Sequence, residues 1–142
     1  MKHPVPGIAA ALLAFIWLTA GAALAADKRI ALQISDDTPE KQTLVLNVAN
    51  NLLKHYGPDS VQVEIVAFGP GLKLLFADNA NRDRVQSLTA SGVRFSACQN
   101  TVAAMTKVLG HAPSLSKDAQ PVPAGIARIV ELAEQGYLVV RP

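Results

Sequence analysis

The sequence contains the run Val61-Gln62-Val63-Glu64-Ile65-Val66-Ala67-Phe68-Gly69-Pro70-Gly71. This run becomes more apolar towards its carboxyl end, which is typical of a central β-strand that is covered on both faces. It leads directly into a glycine-proline-glycine segment, where the chain is expected to turn. The run therefore favours an α/β protein with a parallel sheet.

Strand and helix patterns alternate on both sides of this run. The predicted strands cover residues 29–35, 61–67, 93–97 and 137–140. Helical patterns begin at Thr38, at Leu72 for a short stretch to Phe76, before Val85, after Cys98 and at Ala124. Residues 111–123 are predicted to form a long surface loop that includes a short strand near residues 120–122. This succession indicates a three-layer α/β/α sandwich with a mainly parallel sheet.

The amino-terminal segment has the pattern of a signal peptide. Lys2 and His3 precede the apolar run from Ile8 to Leu24, and Ala23-Leu24-Ala25 has the small residues that signal peptidase recognises. We expect cleavage after Ala25, which leaves residues 26–142 as a single domain in the periplasm. The alternative is an uncleaved amino-terminal anchor, because the run is nearly long enough to span a bilayer.

Composition excludes several classes of function. The 13 Lys and Arg residues nearly balance 11 Asp and Glu residues and form no basic block, so neither nucleic acid nor, after signal cleavage, a membrane is an expected partner. The single cysteine cannot close a disulfide within the chain. The histidines stand outside any metal-ligand spacing, and we expect no metal and no cofactor.

Candidate functional residues follow three of the predicted strands. Ligands of open parallel sheets bind beyond the carboxyl ends of the strands, so the segments 35–37, 68–71 and 98–101 are expected to meet at one edge. In this set the candidate catalytic residue is Cys98. The candidate ligand-binding residues are Asp36, Gly69, Gly71, Gln99 and Asn100.

Each of these candidates also has a structural interpretation. At a strand-to-helix junction the helix dipole can stabilise Cys98 as a thiolate, but a free cysteine is also a common buried apolar residue. The turn at residues 69–71 lacks the spacing and the lysine of a phosphate loop, and it could simply let the backbone pass close to a neighbour. Asp36 could be a turn or cap residue.

The chain after residue 25 resembles the DsrE/DsrF-like family of small α/β proteins linked to sulfur relay. The resemblance rests on Ser35-Asp36-Asp37, on residues 63–71 and on residues 92–101. It implies a flavodoxin-like sandwich around a five-stranded parallel sheet, assembled as a homo-oligomer. In sulfur-relay members, a cysteine at the end of a central strand accepts sulfur as a persulfide, and Cys98 matches that position. The sequence departs from the relay proteins in its export signal and in the helix that follows Cys98.

Two functions of different classes remain open. The first is a periplasmic protein that binds or carries sulfane sulfur as a persulfide on Cys98, together with a sulfur donor or acceptor protein. The second is a non-enzymatic, oligomeric module for small-ligand binding or assembly, in which Cys98 is structural. Fold resemblance alone does not separate them.

Overall fold

A computed structural model of the protein describes residues 1–3 and 28–142. The apolar run and the cleavage site of the predicted signal peptide lie outside the described residues. Within the part of the chain that is described, no helix is both long and apolar enough to cross a membrane.

The described domain alternates strands and helices. The strands are β1 (Lys28–Ile34), β2 (Val61–Ala67), β3 (Arg94–Cys98), β4 (Ala119–Val122) and β5 (Leu138–Val140). The helices are α1 (Pro39–Tyr56), α2 (Arg82–Ala90), α3 (Gln99–Leu109) and α4 (Gly125–Glu134). A 3₁₀ helix, Gly69–Leu75, lies between β2 and α2. The short strand predicted inside the long loop is β4.

All five strands form one parallel sheet in the order β4-β3-β2-β1-β5. The predicted α/β class, with a five-stranded parallel sheet between helices, is confirmed. The strand order differs from the 2-1-3-4-5 order of flavodoxin itself, so the likeness to flavodoxin lies in the three layers.

The two faces of the sheet are covered unequally. Alternate residues of β1 point to opposite faces: Ile30, Leu32 and Ile34 join the large core beneath α1 and α2, and Ala31 joins a small core beneath α4. Helix α3 packs on the same side as α1 through the half-buried Val102 and Met105. One face therefore carries three helices, and in the described chain the other face carries α4.

Local chemistry explains where two of these elements begin. Helix α1 begins as predicted, because the Thr38 hydroxyl accepts a hydrogen bond of 3.3 Å from the backbone N–H of Lys41 and Pro39 takes the first helical position. The 3₁₀ helix corrects the prediction of a short helix at 72–76. It starts at Gly69, whose φ of +54° turns the chain, and Pro70 already has the φ that a helix needs.

The connections after β3 and β4 lead to opposite faces of the sheet. The chain passes from β3 into α3 on the three-helix face, and from the neighbouring β4 into α4 on the other face. Adjacent parallel strands whose connections diverge in this way leave a crevice at their carboxyl ends, where α/β proteins bind ligands. This crevice lies between Cys98 and Val122, which are paired across β3 and β4.

Candidate functional site

Cys98 lies at the switch point of the sheet. It is the last residue of β3, occupies the N-cap position of α3, and is 5% exposed. Since Ser96 points towards α4, Cys98 two residues further along β3 lies on the same face. The amino termini of α3 and α4 therefore approach the thiol from the two sides of the sheet.

The surroundings of the thiol favour its ionised form. Burial by itself would raise the pKa of Cys98. The hydroxyl of Thr101 and the backbone N–H groups of Gly125, Thr101 and Asn100 outweigh that effect, so the pKa of the thiol lies below its ordinary value. Two of these backbone groups belong to the first turn of α3, and the third begins α4. Cys98 is therefore a buried thiol whose neighbours stabilise a thiolate.

Thr101 connects the thiol to the glycine turn after β2. Its hydroxyl oxygen accepts a hydrogen bond of 2.9 Å from the backbone N–H of Gly69. A hydroxyl that accepts one hydrogen bond can still donate its own proton, and the Thr101 hydroxyl lowers the pKa of Cys98. Gly69, Thr101 and Cys98 thus form a continuous polar path.

A cleft of about 630 Å³ opens beside this path. One wall is formed by α3 and the other by the 3₁₀ helix. The polar part of its lining comes from Asp37, Gly69, Lys73, Asn100 and Thr101, and the apolar part comes from Pro70, Phe76, Ala104, Met105, Val108 and Leu109. The volume lies within the range of small-molecule sites.

An ion pair forms part of the lining of the cleft. The Nζ of Lys73 lies 2.6 Å from Oδ2 of Asp37, and both side chains are partly exposed. The hydrogen bond from Lys73 and its positive charge lower the pKa of Asp37. A polar ligand group beside this pair would meet both a cation and an anion.

The structure places two of the predicted ligand-binding residues in the cleft and three elsewhere. Gly69 and Asn100 line it. Gly71 is buried against β1, where a Cβ atom would lie 2.4 Å from the carbonyl oxygen of Ile34. Only glycine allows this approach, so Gly71 lets the backbone pass close to its neighbour.

The other two side chains have partners of their own. The side-chain amide of Gln99 donates to the carbonyl of Ala97 at 3.4 Å. Asp36 accepts a hydrogen bond of 3.1 Å from Arg141 near the end of the chain. Both side chains therefore already have hydrogen-bond partners within the chain. The backbone of their segments still lies at the carboxyl edge of the sheet.

Three further residues were not singled out from the sequence: Thr101, Lys73 and Gly125. Thr101 could have been found, because the third residue of a helix regularly interacts with the residue at the N-cap. Gly125 had no such signal, since its position beside Cys98 depends on the strand order. Lys73 could have been found only by knowing that the 3₁₀ helix lies beside the segment that follows β1.

A buried ionic cluster lies beneath α4 on the face that carries Cys98. Glu64 on β2 is 2% exposed, and its carboxylate accepts hydrogen bonds from Ser96 at 2.6 Å and from Arg128 at 2.7 and 2.8 Å. Burial would raise the pKa of Glu64. The hydrogen bonds from Arg128 and Ser96 and the charges of Arg128 and Arg94 outweigh burial, so the pKa lies below its ordinary value.

Among the described residues, no group of three or more His, Cys, Asp or Glu side chains is arranged to hold a metal ion.

Comparison with known proteins gives likenesses to solved structures. No protein-family model and no curated protein matches the chain. The chain is similar to the solved structure of MTH1491, a protein of unknown function from Methanobacterium thermoautotrophicum, at 31% identity and a TM-score of 0.74 over 82% of this chain and 100% of that one. It is also similar to BT1422, a conserved protein of unknown function from Bacteroides thetaiotaomicron, at 18% identity and a TM-score of 0.48 over 84% and 99% of the two chains.

Proposed function

This chain belongs to the same protein family as MTH1491 from Methanobacterium thermoautotrophicum, and from the chemistry of its own site we propose that it accepts sulfane sulfur on Cys98 and holds it as a persulfide. The family likeness by itself carries no activity, because the archaeal protein is described as having unknown function. The proposal includes membership among DsrE/DsrF-like proteins, as the segments 35–37, 63–71 and 92–101 suggest.

One observation carries the proposal: Cys98 lies at the switch point with a helix amino terminus on each side. Helix amino termini favour anions because their first N–H groups lack partners within the helix. A persulfide is more acidic than the thiol from which it forms, so the donors that favour the thiolate of Cys98 would also favour an anionic persulfide. The Thr101 hydroxyl and the N–H of Gly125 would serve both species.

The loading step needs no cofactor. The proton of the thiol first passes to solvent, and the Cys98 thiolate attacks the sulfane sulfur of a donor such as thiosulfate. A new S–S bond forms, the S–S bond of thiosulfate breaks, and sulfite leaves with the electron pair. Attack by an acceptor thiolate on the outer persulfide sulfur returns Cys98 to the thiolate and completes a transfer.

The cleft supports a route for a small donor. Cys98 does not itself line the cleft, but Asn100 and Thr101 do, and both also act on the pKa of Cys98. Because Cys98 is 5% exposed, bulky reagents are excluded from the sulfur. Such shielding would also slow oxidation of the thiol in the periplasm.

Intact mass spectrometry tests the proposal. Folded protein comprising residues 26–142 is exposed to thiosulfate or polysulfide beside a Cys98→Ala variant. We expect a gain of sulfur that a reductant removes and that the variant lacks. Folded wild-type protein that gains no sulfur, although its thiol reacts with iodoacetamide, would overturn the proposal, and so would equal gains in both proteins.

The periplasmic location is part of the same proposal. It rests on the apolar run from Ile8 to Leu24 and on Ala23-Leu24-Ala25. Amino-terminal sequencing of the protein from a periplasmic extract should begin at Ala26. A protein found only in the cytoplasm with Met1 intact would contradict export.

A second candidate function, an oligomeric assembly module, is favoured by α3. None of its 11 residues, all of which are described, is fully buried, and Val108 is 86% exposed. Together with Leu109 and the apolar part of the cleft, Val108 leaves a continuous apolar surface uncovered. We propose that a second copy of the chain covers it, which sedimentation analysis can test through the Val108 variant described in the Discussion.

A further inference from the structure

The buried carboxylate of Glu64 holds α4 against the sheet. Its two oxygens accept separate hydrogen bonds from Nε and Nη2 of Arg128, at 2.7 and 2.8 Å. This paired geometry fixes both the position and the orientation of the guanidinium group. Burying a carboxylate is costly unless its partners are well placed, so any displacement of Arg128 is strongly disfavoured.

Arg128 lies on the same side of α4 as Gly125. The two residues are three apart in the helix, and Gly125, Arg128, Ile129 and Leu132 form the stripe that faces the sheet. Holding Arg128 therefore holds the turn that begins with Gly125. That turn follows closely on Val122 and Pro123: Val122 pairs with Cys98 across β3 and β4, and the carbonyl of Pro123 accepts a hydrogen bond of 3.3 Å from the N–H of Asn100. The first turn of α4 therefore lies beside the thiol, where the N–H of Gly125 lowers the pKa of Cys98.

We propose that Glu64 and Arg128 are positioning residues for Cys98: their ion pair keeps the first turn of α4 in place so that the N–H of Gly125 faces the sulfur. The inference concerns the thiol of the proposed sulfur carrier and rests on that function for its biological meaning. Neither residue contacts the reacting sulfur, and both act through the backbone of α4.

A direct effect of nearby charges on the pKa of Cys98 would have the opposite sign to the effect that this inference predicts. The charged groups on elements packed near the thiol are Glu64 on β2, Arg94 on β3, Lys73 on the 3₁₀ helix, Lys107 on α3, and Arg128, Glu131 and Glu134 on α4. Burial raises the pKa of Cys98, and the groups that outweigh burial are hydrogen-bond donors rather than these charges. Removing the negative charge of Glu64 would lower the thiol pKa if charge acted directly, whereas loss of the Gly125 donor raises it.

The test is the pH dependence of iodoacetamide alkylation of folded Glu64→Gln and Arg128→Lys variants of residues 26–142. Arg128→Lys retains the positive charge but loses the paired hydrogen bonds. We expect the midpoint of alkylation to rise by roughly half a pH unit or more in both variants, with circular dichroism confirming the fold. Glu131→Gln is the matched control, because it removes the weaker, exposed partner of Arg128 at 3.3 Å and should leave the midpoint unchanged.

An unchanged or lowered midpoint in a folded variant overturns the inference, and so does an equal rise in the Glu131→Gln control. If Glu64→Gln does not fold, Arg128→Lys decides alone. The readout uses no sulfur donor, so it is independent of the proposed function. A protein that takes up no sulfur but shows the expected rise would refute the carrier function and leave the positioning role standing.

Discussion

Gly125 packs so closely on Phe68 that a Cβ atom at residue 125 would lie 2.9 Å from the Cβ of Phe68. Phe68 follows β2 directly, and its backbone N–H donates to the carbonyl of Ile34 at 3.2 Å. The atom in contact is the Cβ of Phe68, whose position is fixed by the backbone and which cannot rotate away. The first turn of α4 is therefore held in place both by its contact with Phe68 and by the ion pair between Glu64 and Arg128.

The Gly125→Ala variant should be less stable and should have a less acidic thiol. Extra volume at a site without space costs about 1–3 kcal/mol, which exceeds the usual gain of alanine in a helix. The displaced turn would also move its N–H from Cys98. Urea unfolding measures the first effect, and the alkylation midpoint of Cys98 the second.

The control for this substitution is Ile126→Ala, the next residue of α4. Ile126 is 61% exposed, and its truncation should change the free energy of unfolding by less than about 0.5 kcal/mol. Equal stability of Gly125→Ala and wild type would show that the contact between α4 and Phe68 is looser than described.

The Thr101→Val variant should raise the thiol pKa without changing the shape of the side chain. It removes the hydroxyl that lowers the pKa of Cys98 and leaves the N–H of Gly69 without its acceptor at 2.9 Å. The second loss should cost about 1–3 kcal/mol of stability. Alkylation rates across pH should show a higher midpoint and a slower reaction near neutrality.

Thr106→Val is the matched control on the same helix. The Thr106 hydroxyl donates to the carbonyl of Val102 at 2.8 Å, within α3 itself. Its removal should leave the midpoint of alkylation where it is in the wild type. A similar shift in both variants would mean that α3 as a whole, and not the Thr101 hydroxyl, controls the thiol.

Acid should weaken the fold through Glu64. The folded-state pKa of Glu64 is below its ordinary value of 4.5, so this carboxylate contributes stability that is fully present above pH 4.5 and is lost as pH falls through the folded-state pKa. Glu64→Gln should cost about 3 kcal/mol near neutral pH and lose less of its remaining stability below pH 4.5. Urea unfolding at a series of pH values measures both.

The comparison variant is Glu131→Gln, whose side chain is 56% exposed. It should retain the wild-type acid dependence, because exposed ion pairs contribute little to stability. An identical acid dependence for wild type and Glu64→Gln would place the acid-sensitive carboxylate elsewhere in the protein.

The Val108→Asp variant should dissociate the proposed oligomer. Val108 is 86% exposed in the single chain, so the substitution should not affect folding but should place a charge in the proposed contact surface. Sedimentation velocity should show the wild type associated and the variant monomeric. Val130→Asp, on the outer side of α4 where Val130 is 53% exposed, should remain associated. Dissociation by Val130→Asp alone would move the interface to α4.

Local patterns predicted much of the fold because each of them reports a short-range interaction. The Thr38 cap, the apolar strand at residues 61–67 and the short strand near residues 120–122 all appear in the structure. The turn at residues 69–71 was harder, because proline and glycine allow both a turn and a 3₁₀ helix. In the structure this segment is a 3₁₀ helix, and within it Gly71 packs closely against the backbone of Ile34.

The site could be predicted only in part. A cysteine at the end of a strand indicated where a thiolate would lie, and residue spacing could have added Thr101. The strand order brings Gly125 and Arg128 to the same face as Cys98, and strand order depends on long-range packing. No local pattern near residue 125 reports a thiol that lies far away in the sequence.

The unequal covering of the sheet has a consequence for how the thiol is protected. In the described chain, α4 covers the face on which Cys98, Glu64 and Ser96 lie, and α1, α2 and α3 cover the other face. Local unfolding of α4 could thus uncover the sulfur while the larger core remains intact. The lifetime of the reduced thiol among oxidants then depends on the opening free energy of one ten-residue helix, which amide hydrogen exchange along α4 reports directly.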